Sequence, residues 1–115
     1  MTNQPIPKRL IWPFFGAPVV EEAIFRLIPY LIFLRAGESL IIGLISSILF
    51  MLIHINFGVS FMLYTLASGF AFWIIMLRFG IGGGIIVCIV LHSALNILDW
   101  KFGIRKKLTH GKFAL

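Results

Sequence analysis

Between residues 13 and 100 the chain is a succession of four long apolar runs separated by short polar turns, and it carries too little polar sequence to wrap them in a water-soluble fold. The runs cover about 13–34, 38–56 and 59–78, and a fourth opens at 80–84 and ends near 100. Each has the roughly 20 residues that a helix needs to cross a bilayer. A mean hydropathy of +1.04, with 60% hydrophobic and only 12% charged residues, is that of an integral membrane protein. Four spans use about 80 of the 115 residues and leave no room for a soluble domain. The expected fold is all-α: a polytopic membrane protein with a four-transmembrane-helix core bundle over 13–100, flanked by tails at 1–12 and 101–115.

A signal peptide is the rival reading of the first run. Pro13 and Pro18 interrupt its apolar stretch, no small-x-small cleavage site follows, and the hydrophobicity continues past two glutamates to Leu34, so the run reads as a span. The formal charge is +6, but the basic residues lie at the chain ends without interleaved aromatics, which argues against nucleic acid as a partner. Lys8 and Arg9 at one end, with Lys101, Arg105, Lys106, Lys107 and Lys112 at the other, outweigh Arg35 and Arg78 in the odd-numbered loops. The positive-inside rule therefore puts both termini in the cytoplasm, with Trp12 and Trp100 at that interface. His110 reads as a solvated tail residue, and the single cysteine, Cys88, as a buried inert thiol.

The polar residues inside the runs are few, and each one needs a reason. An ionisable side chain within a span costs about 2.5–3.5 kcal/mol on insertion scales, yet Glu21 and Glu22 stand side by side in the first run. Glu22 and Arg26, four apart with the acid first, share a helix face in the favourable ion-pair order. Glu21 lies about 100° round the helix and has no such local partner, which suits it to act as a general base. Pro29 removes a backbone donor near Phe25, so a kink is expected just beyond the glutamates. In the second run Gly43 and Ser47 form a small-xxx-small pair for close packing, and Phe50 and His54 share a face. The glycines from Gly80 to Gly84 mark a hinge or a close backbone approach, and no Lys-Ser/Thr follows to make a phosphate loop. His92 and Asn96 stack four apart in the fourth run, and Asp99, beside Trp100, reads as interfacial.

Depth brings these residues together. With alternate spans running in opposite directions at about 1.5 Å per residue, Glu21, His54, His92 and Asn96 all fall in the cytoplasmic half of the bilayer. The order Glu21-Glu22-x-x-x-Arg26, Phe50-x-x-x-His54, His92-x-x-x-Asn96 resembles the three motifs of the CAAX prenyl endopeptidase and bacteriocin-processing group, the CPBP or Abi family of intramembrane proteases. The resemblance covers about 13–100. Members generally carry further spans around this core, so the chain is expected to be a minimal member, a fragment, or one that needs a second copy or a partner subunit.

The resemblance implies an intramembrane endopeptidase, with immunity to bacteriocins as a related role. Glu21 and His54 would polarise the attacking water, His92 and Asn96 would donate to the developing oxyanion, and Glu22, Arg26 and Phe50 would support them. One glutamate and two histidines also have the composition of a catalytic zinc site, so Glu21, His54 and His92 would be the ligands if a divalent metal is used. The metal-free glutamate mechanism is the preferred reading. Besides the bilayer, the implied partner is a membrane-associated peptide or a prenylated protein. Two rival functions remain at this stage: a catalytically silent immunity or scaffold protein that binds a peptide, and a small proton or ion conductor. The conductor needs a polar path through the outer half, where the sequence offers little beyond Ser46, Ser47 and Ser68.

Overall fold

The computed structural model describes residues 5–109, so His110 and Lys112 lie outside the described residues. A short 3₁₀ turn, Lys8–Leu10, leads into helix α1 (12–36), which is continuous but changes its winding. Trp12–Gly16 and Ala23–Leu27 are π-helical, whereas Ala17–Glu22 and Ile28–Ala36 are α-helical. Gly37, at φ 75°, ends α1, and α2 follows over Ser39–Leu52. His54 therefore stands just past the end of α2 rather than in its last turn, and a 3₁₀ turn, Ile55–Phe57, carries the chain on. No strand occurs among the described residues, and the fold is all-α.

The run Val59–Phe102 is helical except at Gly80, whose φ of 77° and ψ of −173° are open to glycine almost alone. That residue divides the run into α3 (59–79) and α4 (81–102). The two halves fold against each other: the Cys88 thiol faces the Phe72 carbonyl oxygen at 3.4 Å, and Gly84 lies so close to Met76 that a Cβ there would meet its Cα at 3.1 Å. The close backbone approach expected of the glycine-rich stretch is thus made at Gly84, while Gly80 forms the turn. After Gly103 a last short helix, α5 (Ile104–Leu108), closes the described chain.

In the buried core Tyr30, Phe72, Trp73, Met76 and Cys88 cluster with flanking Phe33, Ile42 and Leu95, and Phe72 joins it to the carboxylate site. Gly43 is what lets Trp73 in. A Cβ at position 43 would fall 2.2 Å from the indole, whose Nε1 donates to the Ser39 carbonyl at 3.0 Å. Outward, the helices present apolar side chains such as Ile24, Ile28, Ile32, Ile45, Leu49, Ile74, Ile86 and Val90, all exposed. The run Val59–Phe102 is long and apolar enough to cross a membrane, and the fold is 45 Å long, about the thickness of a bilayer with its headgroups.

The prolines explain the changes of winding in α1. In the π register of Trp12–Gly16 the Ala17 N–H donates to the Trp12 carbonyl, and the next donor in that register is Pro18, which has no N–H. The Pro13 carbonyl takes its hydrogen bond from Asn96 Nδ2 instead, at 2.7 Å. The kink expected near Pro29 takes the form of the π stretch Ala23–Leu27, and the carbonyl of Phe25, four residues before that proline, accepts from Ser46 Oγ.

Candidate functional site

A cavity of about 370 Å³ opens between α1, α3, α4 and the turn after α2. Glu21, His54, His92 and Asn96 all line it. Phe50, Phe57, Phe61, Tyr64 and Phe72 contribute to its apolar wall, and Thr65, Ser68 and Arg105 add to the polar part.

The two adjacent glutamates meet one imidazole. Glu22 Oε1 lies 2.9 Å from His92 Nδ1, and Glu21 Oε2 lies 3.1 Å from His92 Nε2. Glu21, which has no local partner on its own helix, finds one on α4, seventy-one residues on. Its side chain is 28% exposed and faces the cavity, whereas Glu22 is fully buried behind it. Ionised carboxylates only accept hydrogen bonds, and a neutral imidazole has one donor and one acceptor nitrogen. The three groups must hold one more proton than two carboxylates and a neutral ring provide, on His92 or on a carboxyl group.

Behind this triad, Arg26 Nε reaches Glu22 Oε2 at 3.2 Å, the pairing that the i,i+4 spacing predicts. The guanidinium lies over the rings of Phe50 and Phe72, at 4.6 and 5.3 Å from their centroids. Phe50 also packs edge-on against His54 and His92, so one ring touches both imidazoles and the buried cation.

His54 Nδ1 sits 2.8 Å from the Phe50 carbonyl oxygen. A carbonyl only accepts, so Nδ1 carries the hydrogen, and in the neutral ring Nε2 keeps its lone pair. Asn96 has two amide hydrogens, one of which goes to Pro13.

The zinc reading asks for three free donors, and the arrangement does not supply them. Both ring nitrogens of His92 are within hydrogen-bond distance of carboxylates, and among the described residues no three His, Cys, Asp or Glu side chains gather as a metal-holding group. Glu21, His54 and His92 as placed do not form a metal centre.

A family model for type II CAAX prenyl endopeptidase Rce1-like proteins matches residues 3–98. The chain belongs to that Rce1-like family. No curated protein and no solved structure matches it. Membership makes this Rce1-like chain a membrane protein of a protease family, consistent with the apolar exterior described above. The match stops before Asp99 and Arg105.

Sequence reasoning passed over those two residues. Asp99, read only as interfacial, is buried in a specific contact: Oδ1 accepts from the backbone N–H of Arg105, and Oδ2 lies 3.3 Å from Arg105 Nε. Gly103, in the left-handed conformation, turns α5 back so that this pair forms. Arg105 is thereby a wall of the cavity, not merely one of the topological charges of the tail. The available signal was Asp99 followed by Gly103 and a basic residue, a helix stop with a cation just past it.

Proposed function

We propose that this Rce1-like protein is an intramembrane endopeptidase of the CAAX type, which hydrolyses a peptide bond of a membrane-associated, prenylated substrate. It does so from a four-span bundle with both termini in the cytoplasm and a site that opens to that side. The observation that carries the reading is the placement of Glu21 and Glu22 on the two nitrogens of His92, in a cavity shared with His54 and Asn96.

Glu21, the carboxylate exposed to the cavity, takes a proton from water as the oxygen attacks the scissile carbonyl, with His54 Nε2 accepting the water's other hydrogen bond. The carbonyl π electrons move to oxygen. The second amide hydrogen of Asn96 donates to that oxyanion, while His92, whose two nitrogens are taken by Glu22 and Glu21, orients the base. Collapse of the tetrahedral intermediate breaks the C–N bond, and the proton held by Glu21 passes to the leaving amine. Glu22 and Arg26 hold His92 in place from behind.

The test is incubation of the purified protein with a prenylated and an unprenylated peptide. Cleavage of the prenylated peptide is expected, with a loss of roughly 10²–10⁴-fold in kcat for Glu21→Gln. A Glu21→Gln protein that cleaves at the wild-type rate removes Glu21 from the mechanism. A biological effect that survives both Glu21→Gln and His54→Ala would point to peptide binding without hydrolysis.

A further inference from the structure

Among the described residues that line the cavity, Arg105 is the sole lysine or arginine. Its guanidinium is held on one edge by Asp99 at Nε and is flanked by the rings of Phe57 and Phe61, at 5.1 and 5.3 Å from their centroids. A guanidinium has a second edge, formed by its two Nη atoms, which matches a carboxylate bidentately. No hydrogen bond among the described residues engages those atoms.

The spacing along α4 gives this cation a purpose. His92, Asn96 and Asp99 stand at i, i+4 and i+7, on one helix face. Seven residues of helix place Asp99, and the arginine it holds, about 10.5 Å along α4 from His92. A CAAX sequence ends three residues after its cysteine, and three extended residues reach about 10–11 Å.

We propose that Arg105 binds the C-terminal carboxylate of the substrate peptide and so sets the distance from the chain end to the bond that is cut. This rests on the endopeptidase reading above. Asp99 is then a positioning residue, fixing the Nε edge so that the Nη edge faces the cavity. The aromatic flanks exclude water from the pair and hold the guanidinium plane.

The experiment uses the protein in detergent and one prenylated peptide, with three residues after its cysteine, made as the free acid and as the C-terminal amide. The wild-type protein is expected to cleave the acid with kcat/KM roughly 10–100-fold above the amide, the scale of a charge-assisted bidentate contact. In Arg105→Gln the acid-to-amide ratio falls towards one. Arg105→Lys, a point charge without the fork, keeps part of the preference. Equal cleavage of acid and amide by the wild type overturns the proposal and leaves the endopeptidase reading standing. So does a folded Arg105→Gln protein that retains the full ratio. Cleavage of neither peptide by the wild type overturns the endopeptidase reading, and the role of Arg105 falls with it.

Discussion

The Glu22–Arg26 pair gives the sharpest energetic prediction, because both side chains are removed from solvent, at 0% and 1% exposure, and lie 3.2 Å apart. Arg26→Met keeps an apolar stem of similar length and deletes the charge. Glu22 is then left with His92 Nδ1 alone, and the rings of Phe50 and Phe72 lose the cation that lay over them. Removing one partner of a buried ion pair costs about 3–5 kcal/mol, and that figure already contains the lost ring contacts of about 2 kcal/mol. The double change Glu22→Gln with Arg26→Met leaves a neutral amide against His92 and removes both charges together, so it should cost only about 1–2 kcal/mol. The double variant should therefore be about 2–3 kcal/mol more stable than Arg26→Met alone, which is the non-additivity expected of residues in contact. Equilibrium unfolding in mixed micelles, followed by circular dichroism for the wild type, both single variants and the double variant, measures each stability. The reasoning is refuted if Arg26→Met costs less than about 1 kcal/mol and the double variant is no more stable than the single one.

Other outcomes follow from single contacts. Gly43→Ala drives a methyl group into the Trp73 indole and should lower stability by about 1–3 kcal/mol, read from the same unfolding curves. Gly80→Ala forces a side chain into a backbone conformation that costs about 1–3 kcal/mol, seen as a lower unfolding midpoint with little change in helix content. Asn96→Ala takes the donor from the Pro13 carbonyl, at a cost of about 0.5–1.5 kcal/mol in addition to any loss of peptidase activity, read from the same unfolding curves. Cys88, fully buried, should resist a maleimide in the folded protein and react quickly once SDS unfolds it.

Spacing in the sequence made the helices and their shared faces legible. The apolar runs and the intervening Gly37 and Gly80 mark where the helices end and turn, and the four-residue interval of Glu22 and Arg26 foretold their contact. Depth along each helix likewise foretold that Glu21, His54, His92 and Asn96 would meet at one cavity. What spacing does not encode is how each helix is rotated about its own axis against its neighbours. Hence nothing in the sequence told which residue would partner Glu21, and His92 and Asn96 gave no sign that one would take two carboxylates and the other the Pro13 carbonyl. Asp99 and Arg105 were missed for a different reason. Their contact depends on the reversal at Gly103, and composition alone made the basic residues beyond it look like a solvated tail.

The prolines of α1 do more than bend it. Pro18 leaves the Pro13 oxygen without a donor from its own helix and Asn96 serves it, while Ser46 adds a second tie at the Phe25 oxygen. The helix bearing both glutamates is therefore fastened to the rest through a gap in its own ladder. Were Pro18 an ordinary residue, its N–H would compete for the Pro13 oxygen, Asn96 would be released from its latch, and the register between the carboxylates and the amide would lose one of its fixed points.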